Sequence, residues 1–470
     1  MVSTLKWTTV TNSEVEQAQF RLEASVFNVE AKIAKSKIEQ CKYELKPLCG
    51  KEGIANVYHR LRFKRIYVDK SDYPIFQPSQ ITEICPKPSL YLSEFTLTDI
   101  PGLRVKKNQI LMTCSGTIGK CSIVTNNLDN QIFSHDLLRI TAKEVNDTGY
   151  IYSYLKSQTG QLVLLTNNYG AVIQHIEPEH LFNIKIPYAD KNIRQSINDK
   201  ILHSFELRDL SNNLILEAEN SLIEALKLPP LDQIKAEHYN QNADFKNFSL
   251  PFYLLDDRLD ASYHVPIALA IVDILLDNAA TILPIGNSEI SDKIILPGRF
   301  KRIYVDEADG TVFLGGKQIY ELDPTNKKYL SVKKHGDRIA KQLFLHENMI
   351  AITCSGTIGK VNIIPKHWEN WTMSQHVLRI VPKNKDIAGY LYIWLNTDYA
   401  RVLVERHIYG SVVDEIDDTH LAKVPVPVLE DRNLMKRIND LALKANELRS
   451  EAYYLEQEAI SEINEKVIYS

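Results

Sequence analysis

Eight residues, Thr113-Cys114-Ser115-Gly116-Thr117-Ile118-Gly119-Lys120, return unchanged as Thr353-Cys354-Ser355-Gly356-Thr357-Ile358-Gly359-Lys360, 240 positions later. A repeat of that period is domain-sized, well beyond the roughly 20–50 residues of a solenoid unit. The chain is 470 residues long, too long for one ordinary core, so two to four domains are expected. Each copy of the octet lies between β-branched runs, as a tight turn in which Gly supplies positive φ. The same composition can bring backbone N–H groups and one cation to an anion. A solvated hairpin turn accounts for one copy; two identical copies at matching places favour a shared task.

Other segments repeat in the same order. Arg21-Leu22-Glu23-Ala24-Ser25 returns as Arg258-Leu259-Asp260-Ala261-Ser262, and Phe63-Lys64-Arg65-Ile66-Tyr67-Val68-Asp69 returns as Phe300-Lys301-Arg302-Ile303-Tyr304-Val305-Asp306. The alternation of Ile66/Val68 and Ile303/Val305 predicts a half-buried strand. Residues 70–109 and 307–347 diverge between the copies and are rich in Pro or Gly, so they are expected to be loop-rich inserts on a β scaffold. The match resumes at Phe133–Ile140 with Met373–Ile380, at Gly149-Tyr150 with Gly389-Tyr390 (each opening a short helix), and at Tyr169-Gly170 with Tyr409-Gly410. Residues 1–20 are expected to form a short strand or edge segment followed by a polar turn.

Each copy closes with a Gly- and Pro-free stretch, residues 192–226 and 433–467, predicted to be a long helix. Leu441, Ala445, Leu448, Ala452, Leu455 and Ala459 step along the second by four and three, a coiled-coil seam. Leu207, Leu210, Leu214, Ala218, Leu222 and Ala225 make a looser stripe on the first. Neither stripe can be hidden alone, so the two helices, each about 50 Å long, are expected to pack antiparallel. The expected fold is α+β and pseudo-two-fold, with two similar β-rich domains carrying short helices, separated by a coiled-coil-like spacer. Its boundaries are 1–190 and 258–430 for the domains, 191–228 and 431–470 for the spacer helices, and 229–257 for a polar linker after Pro229-Pro230.

Composition narrows the class. With 44% hydrophobic and 24% charged residues and a mean hydropathy of −0.22, the chain resembles a soluble globular protein. It shows neither an apolar run of membrane-spanning length nor a signal-peptide start, so a cytoplasmic location and no membrane partner are expected. The six cysteines form no CxxC pair, so neither a zinc site nor a disulfide framework is expected. A formal net charge of −4 does not advertise a polyanion binder, but a local basic face would suffice.

The order of Ser-Gly-Thr-Ile-Gly-Lys loop, Tyr-Gly segment, long helix and full repeat, with an Arg-Leu-Asp-Ala-like opening, resembles the specificity subunit of type I restriction–modification enzymes. The likeness spans about residues 5–467; Glu23, where the second copy has Asp260, is a small departure. The resemblance implies a subunit without catalysis, cofactor or metal of its own. Such a subunit reads a bipartite site in double-stranded DNA and holds two DNA adenine methyltransferase subunits, joined by a restriction/translocase subunit for cleavage. A sister arrangement, in which one partner chain both methylates and cuts, is the alternative.

On that reading, Lys120 and Lys360 are the candidate DNA-backbone contacts, with Ser115, Gly116, Thr117 and Gly119 around the first and Ser355, Gly356, Thr357 and Gly359 around the second. Lys64, Arg65, Lys301 and Arg302 either join that basic face or are the solvated side of a strand. Tyr169 and Tyr409 either lie along a sugar or base or are core tyrosines beside a turn glycine. Base readout is sought where the copies differ: Lys87, Arg104, Lys106 and Lys107 in the first, and Lys317, Gln318, Lys333, Lys334 and Arg338 in the second. His135, Gln375 and His376 are secondary candidates.

Rival chemistries fit poorly. A phosphate-binding loop needs Gly where Cys114 and Cys354 stand, and Ser or Thr where Cys121 and Val361 stand. A methyltransferase would need an Asn/Asp-Pro-Pro element, and the only Pro-Pro is preceded by Leu228. The carboxylates Asp414, Glu415, Asp417 and Asp418 with Lys423 have no matching set in the first copy, so a nuclease centre is not expected. A protein-only scaffold shares the architecture and is separated by salt-dependent DNA binding.

Overall fold

The computed structural model describes all residues except 1–6, 18–19, 24–25, 167–173, 239–247, 256–257 and 411. It divides into two compact units, one of residues 1–209 and 451–470, the other of residues 210–450.

In the first unit, Ala55–Tyr58, Leu137–Ala142, Ile110–Thr113 and Cys121–Ile123 form an antiparallel sheet in that order. Every residue of Ile110–Thr113 is buried. Ile110 and Met112 pack with Tyr150 and Leu164 on one face, and Leu111 packs with Phe76 and Phe133 on the other. Burial on both faces is why this strand reads as an unbroken apolar run. A second, smaller sheet orders Tyr67–Val68, Leu90–Leu92, Pro74–Phe76 and Ile132–Phe133, the last pair parallel. Leu45–Pro47 pairs with Lys185–Pro187.

The second unit repeats this plan. Ser291–Ile295, Val377–Pro382, Ile350–Thr353 and Val361–Ile363 form the larger sheet, and Tyr304–Val305, Lys328–Ser331, Gly310–Leu314 and Thr372–Met373 the smaller. Thr281–Pro284 pairs with Pro425–Val428. The expected α+β architecture of two β-rich domains with short helices is therefore present, and the divergent inserts supply two strands of each smaller sheet.

Each unit is joined to its long helix through one glycine and one asparagine. The Gly149 N–H donates to Asn198 Oδ1 at 2.9 Å. In the second unit Asn439 Oδ1 accepts from both Gly389 N–H, at 2.8 Å, and Tyr390 N–H, at 3.2 Å. A Cβ on Gly149 would lie 2.8 Å from the Asn198 backbone, so only glycine allows this approach.

The long helices span Lys191–Ala225 and Arg432–Ile463, the second ending in the π-turn Asn464–Ile468. Inside the first unit they run antiparallel: Lys200 reaches Glu458 at 2.5 Å, and Ser204 Oγ donates to the Ala452 carbonyl at 2.8 Å. Glu456, almost wholly buried, accepts from the Tyr152 hydroxyl at 2.5 Å and pairs with Arg208. Inside the second unit Arg449 Nε donates to Ser211 Oγ at 3.0 Å, and Arg437 meets Glu217 at 2.7 Å. Ala445, Leu448, Ala452 and Ala459 are buried as the seam predicts. Leu210 is not: it is 48% exposed, because Ser204 and Ser211 hold the inward positions and satisfy their hydroxyls across the pair.

Three other expectations are corrected. Within the segment expected to be a short strand followed by a polar turn, residues 12–17 form a helix, opened by a reciprocal box in which Thr11 N–H donates to Glu14 (2.7 Å) and Glu14 N–H to Thr11 Oγ1 (3.3 Å). The linker is helical over Leu231–His238. Finally, Ile66, Val68 and Ile303 are 41%, 37% and 40% exposed rather than half-buried. Only Tyr67–Val68 and Tyr304–Val305 form edge strands of the smaller sheets; Ile66 and Ile303, with Lys64, Arg65, Lys301 and Arg302, lie in irregular chain just before them, and at an edge alternation cannot say whether anything covers the apolar side.

Candidate nucleic-acid interface

Both Ser-Gly-Thr-Ile-Gly-Lys loops are built by the same bonds. Thr113 N–H donates to the Lys120 carbonyl (2.9 Å), Gly119 N–H to the Thr113 carbonyl (3.0 Å), and Lys120 N–H to Thr113 Oγ1 (3.0 Å). In the second unit Thr353, Lys360 and Gly359 repeat these at 2.9, 3.0 and 3.0 Å. Gly116 and Gly119 take φ of +71° and +84°, and Gly356 and Gly359 take +78° and +79°, conformations that favour glycine. Buried Ile118 and Ile358 anchor the turn, leaving Gly116/Thr117 and Gly356/Thr357 exposed at the tip.

A distant segment clamps each tip. Gly116 N–H donates to the Gln174 carbonyl at 3.0 Å and Ile176 N–H to the Cys114 carbonyl at 3.0 Å, bridging Ser115 to His175. Gly356, Asp414, Ile416 and Cys354 do the same in the second unit, bridging Ser355 to Glu415. The N–H groups of Gly116, Gly119 and Lys120 are thus satisfied inside the protein. Those three amides are therefore not offered to a phosphate. Lys120 and Lys360 are both half-buried, and Lys360 Nζ stands 4.9 Å over the Tyr320 ring.

The basic segment that precedes Tyr67–Val68 runs beside this loop. In the first unit Arg60, Arg62, Cys114, Ser115, His135, Asp136, His175 and Glu177 line one cleft. Lys64 is exposed, whereas Arg65 pairs with Asp136 and lies 3.3 Å from Ser134 Oγ. A hydrogen bond from His135, then Arg65, holds the Asp136 carboxyl well below the usual carboxylate range. In the second unit Lys301 is exposed, and Arg302 donates to Gln375 Oε1 at 2.8 Å. A neutral partner leaves Arg302 its net charge, where Asp136 cancels that of Arg65. Burial, then Arg302 and Arg299, pushes the His376 pKa down.

Tyr409 joins the same strip: its N–H and carbonyl exchange bonds with Glu415 at 3.0 and 2.8 Å, and its ring lies 5.2 Å from that of His420. Burial, then Asp417 and Glu415, raises its phenol pKa. Tyr169 lies outside the described residues. Asp417 and Glu177 act as helix caps, Asp417 Oδ1 accepting from His420 N–H at 2.9 Å and Glu177 N–H donating to His180 Nδ1 at 3.0 Å. Burial pushes the Cys114 and Cys354 thiols up to about 12, so they pack rather than react.

Several proposed base readers are occupied. Gln318 caps its own turn, accepting from Gly315 N–H (2.9 Å) and donating to the Thr325 carbonyl (3.0 Å), so its amide does not face adenine. Arg104 donates to the Asn130 carbonyl at 2.6 Å, and Arg338 to Gln342 Oε1 at 2.9 Å. Lys87, Lys106, Lys107, Lys317, Lys333 and Lys334 are exposed. Sequence reasoning missed Arg62 and Arg299. The signal was present, since the identical segment starts one residue earlier, at Arg62-Phe63 and Arg299-Phe300. Arg299 reaches Glu415 at 3.2 Å from an exposed position, a weak pair that leaves the cation available.

Comparison with known proteins gives a family. Residues 52–220 and 310–457 match the model for the type I restriction modification DNA specificity domain. No curated protein matches the chain. Among solved structures, the type I restriction–modification S subunit from M. genitalium is 13% identical, covers 90% of this chain and 98% of its own, and gives a TM-score of 0.31. The HsdS subunit from Thermoanaerobacter tengcongensis is 15% identical over 87% of this chain and 96% of its own, with a TM-score of 0.26. Matched over more than half of its residues, the chain belongs to the family of type I restriction–modification DNA specificity domains, whose members recognise sequence and do not catalyse.

Proposed function

We propose that this chain reads a bipartite site in double-stranded DNA, one half with each unit, and holds two DNA adenine methyltransferase subunits and a restriction/translocase subunit in the cytoplasm. Residues 1–190 and 258–430 are the target-recognition domains in this reading, residues 191–228 and 431–470 the spacer helices, and 229–257 the linker. The supporting observation is one loop built twice by the same bonds, next to an identical basic segment and beside segments that differ. Groups common to both units suit the phosphate backbone, which is alike at every site; groups that differ suit bases. Lys120, Lys360, Ser115, Thr117, Ser355 and Thr357 at the loops, with Lys64, Lys301 and the arginines beside them, are the backbone contacts.

Co-expression with an adenine methyltransferase of such a system, followed by a genome-wide map of methylated adenines, tests this. The expected result is one motif of two unlike half-sites around a fixed unread gap. A stable complex that adds no methylation and shows no salt-dependent DNA binding overturns it.

A further inference from the structure

Within each smaller sheet one short segment is fixed at both ends by equivalent contacts, while its contents differ completely. At its start, the buried serines Ser93 and Ser331 donate their N–H groups to the carbonyls of Ile66 (2.8 Å) and Ile303 (3.0 Å). These serines follow Leu92 and Leu330, which pair with Tyr67 and Tyr304 in the same register. At its end, Leu103 and Leu343 are buried. The next residues, Arg104 and Phe344, make single antiparallel bridges to Ile132 and Thr372. Val105 and Leu345 N–H then donate to the Gln131 and Trp371 carbonyls, both at 3.0 Å.

Between these anchors, residues 94–102 of the first unit hold Glu94 and Asp99 but no cation, and expose Phe95 and Leu97 at 73% and 93%. Residues 332–342 of the second unit contain the helix Val332–Arg338 and carry Lys333, Lys334, Arg338 and Lys341 against one carboxylate, Asp337. Both segments lean on the shared basic segment: Thr96 Oγ1 donates to the Ile66 carbonyl at 3.3 Å, and Ile303 N–H donates to His335 at 3.2 Å. Arg338 lies over the Phe300 ring at 4.8 Å.

Equivalent anchors hold the two segments at the same place on a backbone frame that both units share. A frame that is the same in both units and a filling that is not is the arrangement expected of a reader whose register is set by backbone contacts. We propose that residues 332–342 and 94–102 determine base specificity, Lys333 and Lys334 reading guanine O6 and N7, and Phe95 and Leu97 contacting a thymine methyl. This rests on the bipartite DNA-reading role proposed above and names its specificity determinants.

The test uses the full chain in complex with the methyltransferase, comparing methylated motifs for the unaltered chain, Lys333→Gln with Lys334→Gln, and Phe95→Ser with Leu97→Ser. All four residues are exposed, so the folds should survive. The lysine pair is expected to relax the preference for guanine in one half-site, with discrimination there falling about tenfold or more, and to leave the other half-site intact. The Phe95/Leu97 pair is expected to relax a thymine in the opposite half-site. Unchanged motifs in both variants would overturn the inference while leaving the bipartite reading standing. Uniform weakening at all sites, with a smaller salt slope, would make the lysines backbone contacts and also overturn it. A bipartite motif absent from the unaltered complex would remove the reading and the inference together.

Discussion

Asn439→Ala removes one acceptor that serves two donors. The side chain is 2% exposed, and its Oδ1 takes Gly389 N–H at 2.8 Å and Tyr390 N–H at 3.2 Å. Gly389 and Tyr390 are the fifth and sixth residues of Lys385–Asn396, with the Lys385 and Asp386 carbonyls four residues back, so the asparagine shares these donors with the helix. A hydrogen bond of this kind contributes about 0.5–1.5 kcal/mol net. With two such bonds removed, the variant should lose about 2 kcal/mol. Asn198→Ala, whose oxygen takes only Gly149 N–H, should lose about half as much. Urea unfolding followed by tryptophan emission reads the Asn439 effect, because Trp368 and Trp394 are fully buried in the second unit. With a urea slope of about 2–3 kcal/mol per molar, the midpoint should fall by about 1 M. Asn439→Asp retains an acceptor and should fall less. A midpoint within about 0.2 M of the parent, or an Asp variant as weak as the Ala variant, would refute the two-donor account of the joint.

Lys120→Ala with Lys360→Ala should weaken binding to all DNA sequences alike and lower the slope of log affinity against log salt by about 2; an unchanged slope removes the lysines from the backbone contacts. His407 is buried, and burial, then Arg406, pushes its pKa to about 4. Since the unfolded chain binds that proton from about pH 6.5, the second unit should keep this stability above pH 6.5 and lose about 3 kcal/mol as the pH falls to 4. Unfolding free energies across that range check the sign, and His407→Gln should flatten the slope. Ile468→Ala should cost the first unit about 3 kcal/mol, because Ile468 is 1% exposed among Tyr150, Ile201 and Phe205; faster hydrogen exchange in Leu137–Ala142 would report it.

Much of the fold was legible because the chain repeats. Gly-Pro-free stretches marked both long helices to within a few residues, and the octet marked a hairpin turn whose backbone bonds are the same in each unit. Burial was less legible. Ile66 and Val68 alternate like core residues yet lie beside and on an edge strand, and Ser204 and Ser211 look like breaks in a seam they help to build. The site was legible in part. The loop stood out by identity, but its clamp did not, since Gln174 and Asp414 contribute only carbonyls and any residue supplies a carbonyl. Gln318 carried the right chemistry for adenine and spends it on its own turn. Side-chain type predicts what a group can do, not whether a neighbouring backbone has already claimed it.

The first unit is discontinuous in sequence, and this sets an order of events during synthesis. Its core needs Ala459, Ile463, Val467 and Ile468, which leave the ribosome only after residues 210–450 have been made. At about 5–20 residues per second, that wait is roughly 12–50 s. Throughout it, Phe205 and Ile201 lack their covering side chains, an apolar face open to chaperones or to a neighbouring nascent chain. The second unit is one unbroken stretch and can close while its tail is still in the exit tunnel. The half of the protein that is begun first is therefore the last to be finished.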